Sequence, residues 1–425
     1  MDKTLKKIMF IASRFPYPAK SGRERTLLEY LSFLKGNAEV YFYFFEKKEP
    51  LNNLIENFKK EYCLKQVKFL KLPSLLSSFL NVIKESFIRG KKSIQESVFY
   101  SKEIEEFLIN ELTTKNIDII FVDMIRTAQY FEHIQKKELL KIFDMDDMLS
   151  KRYRYLQIQK DINILGSFSK NLPTFISMFI ETIIRRVVLK LEEKLVEKRE
   201  LDLIKKYDKT ILVSPDEVNF LRKKTGKHNI YYIYPSVKTE SINTAIEKVY
   251  PSISFMGLLN VPHNEKALLK FLKRIFPEIK KIYPNIKFYI VGANPTKKIE
   301  KEVKKYSQNI ILTGYVKDFK SYISKTNIFI APIYFGTGIK TKILDAMALG
   351  LPVVTTPIGA EGLKVKHLDN IVIAYNEKEF LDFIVLLLRN KNLRESIGIK
   401  AYEYVKKFHN YENIKKQFLK ILEIL

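Results

Sequence analysis

The feature that most constrains this chain lies between Tyr334 and Leu363, YFGTGIKTKILDAMALGLPVVTTPIGAEGL. An apolar run, Ile328–Ile333, leads into a small loop, Phe335-Gly336-Thr337-Gly338. Two glycines so close let the backbone turn sharply and present N–H groups to a ligand. Ile339 to Leu349 then reads as a helix, with Ile339, Ile343, Ala346, Met347 and Leu349 on one broad apolar face and Gly350 as its stop. Leu351-Pro-Val-Val-Thr-Thr follows as a short buried strand, and Gly359 and Gly362 punctuate the next turn. Strand, glycine loop, helix, strand places a helix N-terminus at the carboxyl end of a parallel sheet, where a di- or triphosphate ester binds.

A chain of 425 residues predicts two domains of ordinary size, and 46% hydrophobic residues are ample for two cores. The single cysteine, Cys63, excludes a disulfide framework and suits a reducing cytoplasm. Apolar runs are too short to span a bilayer, and Met1-Asp-Lys-Thr-Leu-Lys-Lys leads into a strand rather than a signal segment. Histidines 133, 228, 263, 367 and 409 have no ligand spacing, so no metal is expected. The net charge of +26 admits nucleic acid, an anionic membrane or phosphorylated substrates as partners. Much of it follows from a general abundance of lysine. Nucleic acid is disfavoured because the aromatics fall mostly inside strand-like runs rather than among the basic residues.

In chain order, Lys7–Ser13 begins a parallel sheet and ends in a loop held by Pro16 and Pro18. Gly22 admits the turn into a helix from about 23 to 33, with Arg23 and Arg25 at its start. Glu39–Phe45, Gln66–Leu72, Ile117–Asp123 and Leu139–Asp144 read as further strands, and Ser74–Lys92 as apolar helix. Asp144-Met-Asp-Asp147 allows a metal reading, because a divalent ion takes carboxylate oxygens. Leu172–Leu191 carries a wide apolar stripe, either packed on the sheet or lying on a membrane surface, and the charge run Glu192–Lys206 reads as solvated. Asp208–Ser214 is expected to be the last strand of the first domain.

The βα rhythm restarts with Ser252–Gly257, a helix from about Glu265 to Phe276, Lys287–Gly292 and Ile310–Gly314 followed by Tyr315. Tyr404–Leu425 reads as one amphipathic terminal helix. The expected domains are 1–235 and 250–409, with a hinge at 236–249.

The glycine-loop stretch resembles the nucleotide-sugar signature of retaining family 4 (group 1) glycosyltransferases, in the branch reading G-x-G-I-K-x-K. That resemblance implies an α/β, GT-B architecture: two Rossmann-like domains facing a central cleft, with 410–425 crossing back onto the first. It implies that Asp345, where the family usually has Glu, grips the ribose. Phe335, Gly336, Thr337, Gly338, Ile339, Lys340 and Lys342 would hold the diphosphate, with Lys340 also neutralising the leaving group. Gly257, Lys266, Gly292 and Tyr315 complete the expected nucleotide site, and Asn264 is an alternative to Lys266. Leu258 stands where the family commonly has an arginine.

In the first half, Arg14-Phe-Pro-Tyr-Pro-Ala-Lys-Ser-Gly-Arg-Glu-Arg is similar to the same branch's opening motif, which implies that Gly22, Arg23 and Arg25 meet phosphate or acceptor. The D-x-x-D, Ser, R-Y pattern falls on Asp144, Asp147, Ser150, Arg152 and Tyr153, and implies that Asp144 and Asp147, ahead of Asp146, orient sugar hydroxyls. The expectation is an enzyme moving a sugar, with retention, from a nucleotide-diphosphate donor to a glycan or lipid-linked hydroxyl. No metal or cofactor is expected. The cytoplasm, or the inner face of an anionic membrane, is the expected location, in surface polysaccharide synthesis of bacterial type. A GT-B nucleotide-sugar epimerase and a basic nucleic-acid-binding protein are the alternatives.

Overall fold

The computed structural model describes residues 5–19, 21–158, 185–237, 239, 247–336 and 338–425. The chain forms two compact units, Met1–Ile233 with Lys415–Leu425, and Tyr234–Ile414. Each is built on one parallel sheet.

In the first unit the strands are β1 (Lys7–Ala12), β2 (Glu39–Glu46), β3 (Gln66–Lys71), β4 (Ile119–Asp123), β5 (Leu140–Asp146), β6 (Lys209–Leu212) and β7 (Ile230–Tyr232). Their order across the sheet is 3-2-1-4-5-6-7, all parallel. The helices are α1 (Gly22–Leu34), α2 (Asn52–Glu61), α3 (Leu75–Asn81), α4 (Ile94–Phe99), α5 (Lys102–Thr114), α6 (Met124–Ala128), α7 (Leu149–Ile158), α8 (Arg185–Lys206) and α9 (Pro215–Thr225). Wider π-helical turns, Val82–Ile88, continue α3. β1 is central and apolar throughout its buried length because helices cover both faces of a parallel sheet. Phe10 lies between Phe42 and Phe121, at ring-centroid distances of 5.5 and 4.6 Å.

The second unit holds β8 (Ser252–Met256), β9 (Lys287–Val291), β10 (Ile310–Gly314), β11 (Ile328–Ala331), β12 (Val353–Thr355) and β13 (Val372–Ile373) in the order 10-9-8-11-12-13. Its helices are α10 (Pro262–Arg274), α11 (Phe276–Ile282), α12 (Lys297–Lys304), α13 (Lys320–Ile323), α14 (Thr341–Ala348), α15 (Glu377–Arg389), α16 (Lys391–Phe408) and α17 (Tyr411–Ile421), the last shared with the first unit. In both sheets the first strand is internal. The chain builds to one edge and then returns to the other side, which opens a crevice at the carboxyl ends of β1 and β4, and of β8 and β11.

Several expectations are corrected. β7 adds a strand beyond β6, so Asp208–Ser214 does not end the first sheet. The terminal segment is two helices: α16 stops at Phe408, the buried His409 ring bonds the Pro235 carbonyl at 2.9 Å, and Asn410 caps α17. Phe418 of α17 then stacks on Tyr30 at 4.5 Å, which buries an apolar face against the first sheet. The charge run 192–206 is interior on one face only, with Lys194, Lys198, Lys205 and Lys206 exposed on the other. Glu192, Arg199 and Glu200 are buried with Leu195, Val196, Leu203 and Ile204, and Arg199 bridges Glu96 (2.8 Å) and Glu132 (3.1 Å). Burial is tolerated there because each charge is paired or hydrogen-bonded. Residues 172–184 of the apolar stripe lie outside the described residues.

Candidate functional site

In the second unit three strands end on glycines that bring their backbones together. Gly257, after β8, has φ of +156°, and a Cβ there would lie 2.8 Å from both Asn264 Nδ2 and Lys342 Nζ. A Cβ on Gly292, after β9, would lie 1.9 Å from the Gly257 carbonyl oxygen. No side chain fits at Gly292, and one at Gly257 would have to displace the Asn264 amide and the Lys342 ammonium. Gly257 N–H donates to Val291 O (3.0 Å), Leu259 N–H to Ala293 O (2.9 Å) and Gly292 N–H to Gly314 O (3.2 Å), so the ends of β8, β9 and β10 are locked in step. Tyr315 follows Gly314 with its side chain well exposed.

Across the switch point, β11 runs into the buried Ile333 and Phe335, then into Gly336 (φ +114°) and Gly338 (φ +74°). Thr337 lies outside the described residues. Lys340 is nearly buried, and its ammonium donates to Gly338 O (2.5 Å) and Gly336 O (3.3 Å), pinning the loop. Lys340 is also the N-cap of α14, and its side chain, turned to the loop, makes no cap bond to the first-turn amides. One turn in, the Lys342 ammonium donates to Asn264 Oδ1 and lies 4.9 Å from the Phe255 ring centroid. Asn264 Nδ2 donates to Leu258 O at 2.8 Å, which fixes the amide so that its oxygen faces the lysine. Burial, and then the neighbouring Lys340 charge, push the Lys342 ammonium down to about 7.

The remaining expected residues fall around this cradle. Asp345 is buried on α14, five residues from its cap. Lys266 lies on α10 with its ammonium 5.7 Å from the Phe335 ring centroid, and Ile339 lies against Gly362. Asn264, rather than Lys266, receives Lys342. His263 was not foreseen; its ring meets Phe335 edge-on at 6.4 Å and faces Gly336. Nothing in its spacing announces it, since the loop it touches is some seventy residues away in sequence.

In the first unit the residues at the switch point are mostly charged. Asp123, at the end of β4, accepts from Ser13 N (2.8 Å) and Ser13 Oγ (2.6 Å) on one oxygen and from Arg23 on the other. The Arg23 guanidinium also reaches Asp144 (2.6 Å) and Asp146 (3.1 Å). Arg23 therefore spends its donors on three carboxylates instead of presenting them to phosphate. The order expected among the acids also shifts: Asp146, in a left-handed conformation (φ +66°) at a bulge in β5, shares Arg23 with Asp144. Asp147 instead pairs with Arg152 through both oxygens (2.7 and 2.6 Å). Burial is the largest cause raising Asp144, to about 7, with Arg23 opposing it. Ser150 donates to the buried Glu200, whose carboxyl burial raises to about 8.

At the start of α1, Ser21 and Glu24 form a reciprocal cap. Gly22 is simply the first helical residue, exposed, with nothing within 4 Å of where a Cβ would sit and no positive φ, so it is not what makes the turn. Arg25 is exposed. Among the described residues, no group of three or more His, Cys, Asp or Glu is arranged to hold a metal ion.

Two parallel-sheet units of Rossmann type, each with a switch-point crevice, define the GT-B fold. Solved structures agree: HepE of Anabaena, in complex with UDP and glucose, superposes with a TM-score of 0.64 over 99% of this chain and 100% of its own, at 11% identity. Residues 250–390 match the family model for glycosyl transferases group 1. The chain thus carries a group 1 glycosyltransferase domain in a GT-B fold and is a glycosyltransferase. A protein of the cps region of Klebsiella pneumoniae is 23% identical over 98% of this chain and 99% of its own length. An uncharacterised glycosyltransferase of Methanocaldococcus jannaschii is 26% identical over 52% of this chain and 60% of its own.

Proposed function

We propose that this enzyme transfers a sugar, with retention of anomeric configuration, from a nucleotide-diphosphate donor to a hydroxyl of a glycan or lipid-linked acceptor. The observation that carries the reading is the cradle formed by Gly257, Asn264 and Lys342 beside the Lys340-pinned glycine loop. Two ammonium groups, a helix start and two close backbone turns converge on one small volume, which suits a diphosphate. Anabaena HepE binds UDP-glucose, and TarM has been crystallised with UDP and an α-GlcNAc-glycerol, both on this fold. The cps region of the Klebsiella relative agrees with polysaccharide synthesis.

In this reading the bond from the anomeric carbon to the diphosphate oxygen breaks, and its electron pair stays with the phosphate. Lys340, Lys342 and the α14 amides stabilise that charge as it develops, without a metal. The acceptor oxygen attacks from the same face, and its proton passes to the departing phosphate, so configuration is retained. Asp345 holds the ribose and fixes position rather than lowering the barrier. In the first unit, Asp144 and Asp147 orient sugar hydroxyls, with Arg23 and Arg152 setting the carboxylates.

The same reading places the enzyme at an anionic membrane face. Among the described residues no helix is long and apolar enough to cross a bilayer. Leu75, Leu76, Phe79, Leu80, Phe87 and Ile88 are nonetheless exposed together, beside the exposed Lys84, Arg89 and Lys91. Apolar side chains rimmed by basic ones suit a headgroup boundary.

A calorimetric screen against nucleotide sugars tests the donor reading directly. Binding of at least one of them, with heat lost in Lys342→Gln, is expected. Failure of every nucleotide sugar to bind the folded protein would overturn it. An epimerase would turn over donor without acceptor.

A further inference from the structure

The mechanism leaves two arginines of the first unit unused, one on each side of that sheet's switch point. Arg14 follows Ser13 off the end of β1, and Arg126 lies in α6 directly after β4. Arg14 is half-buried and makes no hydrogen bond or ion pair among the described residues; its Nε is fully buried without a partner. Arg126 uses only its Nε, which donates to Gln95 Oε1 at 2.7 Å, while its plane lies 5.5 Å from the Phe99 ring centroid. Its two terminal nitrogens donate to nothing among the described residues.

The carboxylates nearby are already committed. Asp123 is held by Ser13 and Arg23, Asp144 and Asp146 by Arg23, and Asp147 by Arg152. Burial, and then the charges of Arg14 and Arg152, push Arg126 down to about 10. Two guanidinium groups partly withdrawn from water, one with a fully buried unpartnered Nε, are costly unless something fills them. Yet Arg126 is held in readiness. Gln95, which orients it, donates to Tyr153 Oη (2.5 Å), and Glu192 caps α4 at Ile94 N (2.6 Å) and Gln95 N (3.2 Å).

We infer that Arg14 and Arg126 form an anion site that takes a phosphate or diphosphate ester. A planar fork matches phosphate oxygens two at a time, and the carboxyl end of a switch point is where open α/β sheets take ligands. Calling that ligand the acceptor rests on the glycosyltransferase reading; the anion site does not. The helix α4 that presents Gln95 is also tied to the exposed apolar turns, through Ser86–Ser97 (2.8 Å), Ser78 to Val98 O (3.1 Å) and Asn81 to Tyr100 O (2.9 Å). An arginine site and a hydrocarbon-compatible surface anchored on one short helix favour a phosphate-bearing amphiphile.

Inorganic pyrophosphate is the first probe, titrated calorimetrically into wild type, Arg14→Gln, Arg126→Gln and Lys342→Gln. Each arginine change should weaken binding about tenfold or more at a site that Lys342→Gln retains, the loss expected for a charged hydrogen bond. Without ligand Arg126→Gln should melt at the wild-type temperature or above, because burial already disfavours its charge; Arg14→Gln also removes an attraction to Asp123 and is read by its affinity. Unchanged pyrophosphate binding in both arginine variants would overturn the inference. So would complete loss of binding in Lys342→Gln alone, or a lower melting temperature with no loss of affinity, which marks a purely structural pair. Dihexanoyl phosphatidic acid, compared with pyrophosphate, identifies the source: tighter, arginine-dependent binding means a lipid phosphate, and equal binding means the phosphate alone. Nucleotide-sugar binding measured in parallel tests the donor reading separately, since its absence would overturn that reading and leave the anion site standing.

Discussion

On the proposal that Lys342 holds the donor diphosphate, donor binding should be a proton-coupled event. The Lys342 ammonium is held at about 7 in the free protein. At pH 8 it is therefore only about one-tenth protonated. A diphosphate placed beside it favours the charged form, and an opposite charge within ~4–6 Å raises such a group by about 1–3 units. Binding at pH 8 should then take up about 0.4 proton for a 1-unit rise and about 0.9 for a 3-unit rise, and at pH 6 only about 0.1. Affinity should fall with pH between the free and bound titration points, about threefold per unit for the smaller rise and nearly tenfold per unit around pH 8–9 for the larger, the slope that this uptake requires. Calorimetry of the donor nucleotide in two buffers of different ionisation enthalpy gives the proton count as the slope of the observed heat. Lys342→Met should abolish the uptake and weaken binding. Tight binding by wild type at pH 8 with no proton taken up would refute the reasoning. The free protein carries the matching signature. The unfolded chain binds more protons than the native one between about pH 7 and the ordinary lysine range, so this group's contribution makes stability rise through that window.

Asp345→Asn should weaken nucleotide binding by about 1–3 kcal/mol, read by calorimetry in a variant whose melting is unchanged. Gly292→Ala should destabilise the second unit by about 1–3 kcal/mol or more, because the added Cβ meets the Gly257 carbonyl at 1.9 Å. Gly22→Ala, with open space around it, should change stability by no more than ~0.5 kcal/mol in the same thermal melts. Turnover should survive excess EDTA; abolition by chelator and rescue by manganese would instead give Asp144 and Asp146 a metal. Anionic liposomes should co-sediment the protein at 0.1 M salt and release it at 1 M, where the Debye length falls from about 10 to about 3 Å. Phe79→Asp should weaken that binding, and equal binding to neutral vesicles would mean that the basic rim plays no part.

The fold was largely legible because a parallel strand covered on both faces must be apolar along its whole length. KIMFIA, IIFVD and IFIA announce themselves that way, and the 3.6-residue pattern after Gly338 marks the helix between two of them. The glycine loop and the lysines on its helix were legible for the same local reason, since a tight turn and a helix start are decided by neighbours in sequence. Helix breaks were less visible. The stop at His409 depends on its bond to Pro235, 174 residues away.

What the sequence determined alone was thus the βα rhythm, the two units and the glycine loop at the head of α14. Tertiary structure decided which charges meet. Arg23 joins carboxylates 100, 121 and 123 residues distant, so its role as a holder of acids has no local signal. Arg199 of α8 looks solvated in sequence and is interior because Glu96 and Glu132, from other helices and loops, complete it. Arg14 lies in a readable motif, but only the packing of β1 against β4 shows that its buried nitrogen has no partner among the described residues and stands beside Arg126. Apolar periodicity is a property of one segment. A charge network is a property of several, and it exists only once the sheet has brought their ends together.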